Sequence, residues 1–545
     1  MTGAGLNLAG AFDALADAAP DHQCLVFRDR SLTRADVRRR AAGVAGLLVA
    51  AGMGCRAERD ALAGWACGQS TVGLLLHNGN EYLEAMLGAY AARCAPVNLN
   101  WRSTPEELAY LLADSATDAL VYARSLAPVV TGAMVDRPAA HVLLEVDDVS
   151  WGASPMTPLV DGAIGYEAAI AAAEPAWVRG TPDDLYVLYT GGTTGRPKGT
   201  LWRQRDFVAG ALGIRHTSVP EVVAASAKGA SLRALPCPPL IHGAAQWNAW
   251  SAWLGGGTVV MQSVVHRFDA DDVLDTAERH RVTSLQIVGD AFGRPLLDAL
   301  SARTRRPDLG ALRFVTSGGT ALSPDVRNGL RAALGGVTIL DIMGSSESGR
   351  LAVATHAPGS TGGFVPSGGA VVVDDERAAL VPRGDDAIGW LATTGPIPLG
   401  YLGDPDKTRA TFPTIDGVRY TVPGDRARWR ADGTVEVLGR DASVINTGGE
   451  KVFAEEVEAA LKAHPAVLDA LVVGRPHPVL GNEVCAVVAL RIGTSLTLEE
   501  ARQVAGRALS RYKLPRHLVT CAAVQRSPAG KPDYPWARAQ LAGRA

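Results

Sequence analysis

Residues Tyr189 to Gly199 read YTGGTTGRPKG, and the fold turns on how this stretch is understood. An apolar run (Leu185, Val187, Leu188) enters it, and Thr200, Leu201 and Trp202 leave it. Hydrophobic segments on either side of a Gly/Thr-rich run describe a turn held between two strands. Such a turn suits phosphate: glycines let backbone N–H groups converge on an anion, hydroxyls add donors and a lysine adds charge. Thr190, Gly191, Gly192, Thr193, Thr194, Gly195 and Lys198 are therefore the candidate phosphate cradle. The common nucleotide loop is a different pattern. It needs Gly-Lys-Ser/Thr opening a helix, whereas Pro197-Lys198-Gly199 leads back into apolar residues.

Upstream, the first 150 residues alternate helix-like and strand-like patterns. Ser31-Leu32-Thr33 precedes a helix-periodic segment from Arg34 to Ala50. A short apolar run, Thr71 to Leu76, precedes a helix from Glu81 to Ala92, and Ala95 to Leu99 is strand-like. Thr104-Pro105-Glu106-Glu107 carries an N-cap hydroxyl, a proline at the first helical position and a glutamate that completes a capping box. Leu120 to Tyr122 and Val142 to Val146 read as further strands. The alternation predicts an α/β architecture, a largely parallel sheet with helices on both faces. Residues Gly54 to Gly68 interrupt it as a surface insertion with no assignable role.

Downstream, Val282 to Val288, Leu312 to Thr316 and Val337 to Ile342 each end in a small-residue loop: VGD, SGGT and MGSSESG. Ligands of open α/β sheets sit beyond the carboxyl ends of the strands, so these loops are expected to share one crevice. Ser317, Gly318 and Gly319 permit close backbone approach to a flat ring, and Gly344, Ser345, Ser346 and Glu347 combine hydroxyls with a carboxylate. Glu347 has the chemistry to hold Mg²⁺, which takes one or two carboxylates plus phosphate oxygens.

A composition shift comes near residue 438. Asp425 follows YTVPG and can accept two ribose hydroxyls, and Arg440 can add donors to ribose or phosphate. A hairpin (Arg430 to Val437, with Asp432-Gly433 at its turn) separates them. From Ala454 the pattern is helix, strand (Val467 to Val473), strand (Val484 to Leu490), helix (Leu498 to Tyr512), strand. About a hundred residues of this kind make a small α+β domain. SPAGKPDYPWAR then places Lys531 in a Gly/Pro-bounded loop. The division expected is 1–439 and 440–545.

Composition excludes several classes. At 545 residues the chain exceeds one hydrophobic core. A net charge of −3 offers no electrostatic case for nucleic acid or an anionic membrane. Seven scattered cysteines without a CxxC pair argue against a disulfide framework or a zinc site and fit a reducing cytoplasm. The first twenty residues lack a basic start and an unbroken apolar core, so no signal peptide is expected, and no uncharged apolar run reaches membrane-spanning length.

YTGGTTGRPKG, PPLIHGAAQW (Pro238 to Trp247), SGGT, MGSSESG, VPGDRARW, LGRDASVINTGGEKV and SPAGK occur in the order and spacing of the adenylate-forming acyl-CoA synthetases, a superfamily that includes luciferase and peptide-synthetase adenylation domains. The resemblance covers nearly the whole chain and is nearest to a bacterial branch acting on fatty acids and steroid side-chain carboxylates. It implies a large N-terminal domain of strand–helix layers and a small mobile C-terminal domain. It also implies ATP and Mg²⁺, with a carboxylic acid and coenzyme A as co-substrates: an acyl-adenylate forms with release of pyrophosphate, and a thiol displaces AMP. By resemblance, Thr190 to Lys198 cradle the β- and γ-phosphates, and Ser317 to Gly319 contact adenine and line the acyl pocket. Ser346 touches the α-phosphate, Glu347 binds Mg²⁺, Asp425 and Arg440 hold ribose, and Lys531 bridges carboxylate and α-phosphate. Arg440-Asp441 becomes the hinge, and Gly448-Gly449 faces the thiol channel. Met343 stands where many relatives have an aromatic on adenine; its polarizable sulfur can still cover a ring.

His242 and Gly243 match a position bordering the acyl pocket. Trp247, Trp250 and Trp253 recur every third residue on one helix face, a pattern of core packing more often than of a pocket wall. If Trp247 reaches the pocket, it favours a bulky apolar or aromatic acid. Two other readings stand beside the CoA ligase. One keeps ATP activation but changes the acceptor or oxyanion: an amide ligase, a carrier-protein loader or a nitrite-activating diazotase. The other is a non-catalytic nucleotide-binding homologue, against which Lys198, Glu347, Asp425 and Lys531 count. Dimers are frequent in such enzymes, but no residue here demonstrates one.

Overall fold

The computed structural model describes residues 5–135, 142–148, 160–190, 196–358, 360, 362–440, 443–447, 450–477, 480–509, 511–527 and 530–542. Within them the phosphate stretch is flanked as its sequence predicts. Leu185–Thr190 and Lys198–Arg203 pair antiparallel, Thr190 opposite Lys198, and Gly400–Tyr401 adds a third strand against Leu201 and Thr200.

The upstream alternation builds a five-stranded sheet in which every pairing is parallel, ordered Ala95–Asn98, Thr71–Leu75, Thr117–Ala123, Val142–Val146, Ile164–Gly165. Its strands are almost wholly buried, as a sheet covered on both faces requires. Its helices start where their caps dictate. Thr33 caps Arg34–Ala50 and Thr104 caps Pro105–Asp114, each in a reciprocal box with an acid three residues on.

The large sheet carries the downstream crevice. Gln23–Phe27, Thr258–Met261, Arg233–Pro236, Ser284–Ile287, Phe314–Gly318 and Thr338–Ser345 lie side by side and parallel. Gln286, Thr316 and Leu340 are in register, so the three carboxyl ends open on the same edge of the sheet. From Gly349–His356 onward the pairings turn antiparallel, so the sheet is mixed rather than largely parallel. One expectation is corrected here. The strand expected to stop at Ile342 runs on to Ser345, because Gly349–His356 folds back and supplies backbone partners for Met343, Gly344 and Ser345. MGSSESG is therefore the tip of a hairpin. Gly344 suits it: a methyl there would lie 2.1 Å from the Gly349 carbonyl oxygen.

Residues 444–541 form a second unit with its own five-stranded sheet and core, in which Val457, Leu461, Val472, Val487 and Ala501 are fully buried. Thr497 caps its second long helix, but that helix is Leu498–Ala505 and not the longer segment expected to Tyr512. Gly506 ends it, since glycine costs a helix about 1 kcal/mol relative to alanine. Among the described residues no helix is long and apolar enough to cross a membrane.

Candidate active site

Two polar residues that sequence reading passed over, Asn98 buried and Asp114 half-buried, hold the phosphate strand in place. Asn98 donates from Nδ2 to the carbonyls of Tyr189 (2.8 Å) and Ile241 (2.6 Å), and its Oδ1 accepts the Tyr189 N–H at 2.7 Å. One amide thus locks the phosphate strand to the PPLIHG segment. Asp114, at the end of Pro105–Asp114, accepts the Tyr189 hydroxyl at 2.8 Å and the Lys198 ammonium at 3.0 Å. Burial opposes the charge on Lys198, but the Asp114 bond and charge outweigh it and hold the lysine above its ordinary value. Lys198 is therefore a fixed cation at the mouth of the turn, with Asp404 4.0 Å away.

The hairpin tip meets this strand directly. Thr190 Oγ1 and Ser346 Oγ are 3.1 Å apart, and Trp202 Nε1 donates to the Ser346 carbonyl at 2.9 Å. Ser346 Oγ donates to Glu347 Oε2 at 2.9 Å, and the Tyr401 hydroxyl donates to Oε1 at 2.9 Å. Ser345 Oγ accepts the Glu347 N–H at 3.2 Å and shares a hydrogen bond with Ser348. Both carboxylate oxygens are thus aimed by hydroxyls, and among the described residues no cation lies within 4 Å of them to form an ion pair. The described residues also contain no cluster of three or more His, Cys, Asp or Glu able to hold a metal alone. A single oriented carboxylate beside a phosphate cradle suits Mg²⁺, which keeps substrate phosphate oxygens among its ligands.

On the next strand, Ser317 is buried and its Oγ accepts the Gly289 N–H at 3.1 Å, while Gly318 pairs with Ile342 and Gly319 takes a φ of +89°. Behind it, burial pushes the Asp341 carboxyl up to about 6 despite Arg327, and His356 Nε2 lies 3.1 Å away. Met343 is half-buried and packs on the small core of Leu351, Val372 and Trp429. Asp425 is buried and opens its strand opposite Arg440.

His242 precedes the helix Gly243–Leu254. Burial first, then the charges of Lys531 and Arg102, push its imidazole down to about 3, so it is neutral at physiological pH. Among the described residues its Nε2 has no hydrogen-bond partner. Gly243 lies against Leu188 of the phosphate strand, where a methyl would approach to 2.5 Å. The tryptophan stripe divides. Trp250 and Trp253 are fully buried core residues, whereas Trp247 is half-buried in an aromatic box. Its Nε1 donates to the Tyr186 hydroxyl at 3.2 Å, and Phe207 stacks on Tyr186 with ring centres 3.8 Å apart.

The C-terminal unit brings Lys531 to this crevice. Arg526 forks onto Asp469 at 2.7 and 2.8 Å and donates to the Gly530 carbonyl at 3.1 Å. Ser527 accepts the Lys531 N–H at 3.1 Å. Gly530, at φ +73°, rests on Val288 and Ala291, and Lys462 reaches Asp290 at 3.4 Å. The exposed Lys531 side chain is close enough to His242 for its charge to be felt there. Arg526, Asp290, Asp114, Asn98 and Tyr401 all escaped sequence reading. The one signal available for Arg526 was its place at the head of the SPAGK loop. Gly191, Gly192, Thr193, Thr194, Gly195, Asp441, Gly448 and Gly449 lie outside the described residues, as does the Arg440 side chain.

The family models for an AMP-binding enzyme and for an AMP-binding enzyme C-terminal domain match residues 12–402 and 456–531. A medium-chain acyl-CoA ligase of Mycobacterium avium is 46% identical over 538 residues, covering 97% of this chain and 96% of the relative. A 3-oxocholest-4-en-26-oate–CoA ligase of Rhodococcus rhodochrous is 37% identical, covering 98% and 96%. Among solved structures, an anthranilate CoA ligase with anthranoyl-AMP superposes with a TM-score of 0.80 at 21% identity, covering 99% and 98%. An amide bond synthetase of Marinactinospora thermotolerans gives 0.78 at 24%, covering 98% and 99%. At those identities the structural likeness speaks for the fold alone. The family models and the full-length relatives carry more: the chain belongs to the AMP-binding enzyme family.

Proposed function

We propose that this chain is an AMP-forming acyl-CoA ligase that activates an apolar or bulky carboxylic acid with ATP and passes the acyl group to coenzyme A. The observation that carries the reading is the contact of three separate segments at one point, with a fourth docked on the strand end beside it. Thr190 meets Ser346, Ser346 and Tyr401 aim Glu347, and the Lys531 loop is docked on Val288–Ala291 across the same crevice.

A carboxylate is a poor electrophile because it repels nucleophiles and lacks a leaving group. In this reading the acid's oxygen attacks the α-phosphorus of ATP, the bond to the β-phosphate oxygen breaks, and pyrophosphate departs. Lys198, fixed by Asp114, and the Thr190 hydroxyl lie where the β- and γ-phosphates are held. Glu347 would hold Mg²⁺, which when bound would neutralise charge on the phosphate oxygens. Asp425 takes the ribose hydroxyls, and Lys531 draws carboxylate and α-phosphate together where negative charge accumulates. Neutral His242 borders the acyl carbon without adding a second positive charge. The CoA thiolate then attacks the acyl carbon and AMP leaves.

The second step needs the carbon opened to a thiol, so the Lys531 loop must withdraw. Residues 440–545 turn about Arg440-Asp441 and bring Gly448-Gly449 to the thiol path. The docked contact is therefore one of two orientations. In Gly530→Ala the added methyl would lie 2.9 Å from Ala291 Cβ at a φ of +73°. Left-handed backbone alone costs a non-glycine residue about 1–2 kcal/mol, so the adenylation rate is expected to fall about tenfold. Thioester formation from supplied acyl-adenylate is expected to stay within about twofold, measured by single-turnover assay.

The acid class is supported by the medium-chain acyl and steroidal acids in the relatives' names. The seven free thiols support a reducing, cytoplasmic setting. The test is pyrophosphate release over aliphatic, steroidal and aromatic acids, with and without CoA. Acid-dependent release coupled to thioester is expected. Formation of ADP and orthophosphate in place of AMP and pyrophosphate, or pyrophosphate release that requires an amine or nitrite, would overturn the assignment.

A further inference from the structure

The insertion at residues 54–68 takes no part in the chemistry proposed above, yet it touches the segment that does. It is an Ω-loop closed at its neck. Cys55 bridges to Gln69, the Arg56 and Ala57 N–H groups donate to the Gly68 carbonyl at 2.7 and 3.0 Å, and Ser70 donates to Gly54 at 2.8 Å. It is stiffened from within and tied down from without. The Arg59 guanidinium donates to the carbonyls of Ala63 and Ala66. Arg93 grips Glu58 through two bonds of 2.9 Å while reaching Asp184 at 2.7 Å, and Arg56 meets Asp118 at 2.6 Å.

What the loop presents is the turn Gly64–Trp65. The Trp65 carbonyl accepts the Gly403 N–H at 2.8 Å, and a methyl at Gly64 would lie 3.0 Å from the Leu399 oxygen. The segment between these contacts is the third strand of the phosphate sheet. Its inner side is bonded to the phosphate strand, Leu399 N–H to Leu201 at 2.7 Å and Leu402 N–H to Gly199 at 2.8 Å. It carries two groups of the site: Tyr401, whose hydroxyl lies on Glu347 Oε1, and Asp404, 4.0 Å from Lys198. The strand itself is only two residues long, and besides its pairing to Leu201 and Thr200 it is held by Thr408, whose hydroxyl accepts the Tyr401 N–H at 2.9 Å, and by Arg419, which donates to the Pro398 and Leu399 carbonyls at 2.7 and 2.6 Å. The loop adds a further brace, at Gly403.

We propose that residues 56–68 are a positioning element of the phosphate site: by holding Gly403 through the Trp65 carbonyl, the loop sets the Tyr401 hydroxyl against Glu347. The proposal rests on Glu347 being the carboxylate that meets the Mg²⁺–nucleotide. No atom of the loop touches a reactant; its effect passes through Tyr401.

The neck makes the test clean. Arg56 and Gly68 are already hydrogen-bonded, so residues 57–67 can be replaced by Gly-Gly, a two-residue hairpin turn. Loss of an outer partner of a metal-binding carboxylate usually weakens the site 10- to 100-fold, so KM for MgATP is expected to rise about tenfold with KM for the acid unchanged. Hydrogen exchange of residues 399–404 in the nucleotide-free protein is expected to quicken. Adding Tyr401→Phe to the excised chain is expected to cost no more than about twofold, because both changes cut the same connection. Arg59→Ala, which frees Ala63 and Ala66 on either side of the turn, keeps the chain length; its expected KM rise for MgATP is about threefold with the same quickened exchange. That variant decides the matter should the excised chain not fold. Unchanged MgATP KM and exchange, equal losses for acid and nucleotide, or full additivity with Tyr401→Phe would overturn the proposal. Glu347→Gln, run alongside, separates the two layers: if it leaves the Mg²⁺ dependence intact, the assignment of Glu347 fails; if it abolishes that dependence while both loop variants are silent, only the loop's role fails.

Discussion

Lys531→Ala is expected to lower adenylate formation by two to three decades while leaving the conversion of supplied acyl-adenylate to thioester near its original rate. The asymmetry comes from where the charge builds. In the first half-reaction two anions, a carboxylate and a triphosphate, must be brought to bonding distance, and the negative charge in the transition state concentrates on the α-phosphate. A positioned donor removed from such a site typically costs about 3–4 kcal/mol. The protein invests in that position: Arg526 holds the loop through Asp469 and Gly530, and Gly530 seats it on Val288 and Ala291. In the second half-reaction the adenylate is already made, and the lysine must move aside for the thiol. The measurements are pyrophosphate exchange for the first step and single-turnover thioester formation for the second. Equal loss in both would mean that Lys531 supports the fold or the nucleotide in general, and the division of labour between the two orientations would fall.

The parts of this design that were legible in the chain are those written locally. Thr33, Thr104 and Thr497 announce their helices because each hydroxyl and its acid partner sit three residues apart. The phosphate turn is legible because its glycines are framed by apolar residues that pair directly, Leu188 with Thr200 and Tyr189 with Gly199. The hairpin tip reads as a loop in sequence because the antiparallel partner that extends Thr338–Ser345 announces itself only through tertiary pairing. The side chains that aim the site were invisible for a related reason. Asp114 meets Lys198 across 84 positions, Asn98 meets Tyr189 across 91, and Tyr401 meets Glu347 across 54. Nothing in the local pattern of NLNWR or YLGD marks those residues as partners. Long-range polar pairing has no sequence period, whereas burial does.

Asp425→Ala is expected to lower kcat/KM for MgATP by about two decades, and unlike Lys531→Ala it should impair both half-reactions. Asp425 is 6% exposed and starts its strand directly after Gly424, which takes a φ of +101°. In the proposed reading its carboxylate accepts both ribose hydroxyls, and hydrogen bonds to a charged group are worth about 1.5–3 kcal/mol each. Ribose is present in ATP and in the acyl-adenylate alike, so the interaction is lost from each step. Lys531, by contrast, is proposed to serve only the step in which phosphorus is attacked. The diagnostic is a comparison of ATP with 2′,3′-dideoxy-ATP. The unmodified protein should discriminate by about two decades, while Asp425→Ala should scarcely distinguish the two nucleotides, since the discriminating acceptor is gone. Asp425→Asn keeps one acceptor oxygen and should fall between them. Discrimination that survives in Asp425→Ala would move ribose recognition elsewhere. Opposite losses, one half-reaction for the lysine and both for the aspartate, would separate the group that drives phosphoryl chemistry from the group that only holds the nucleotide.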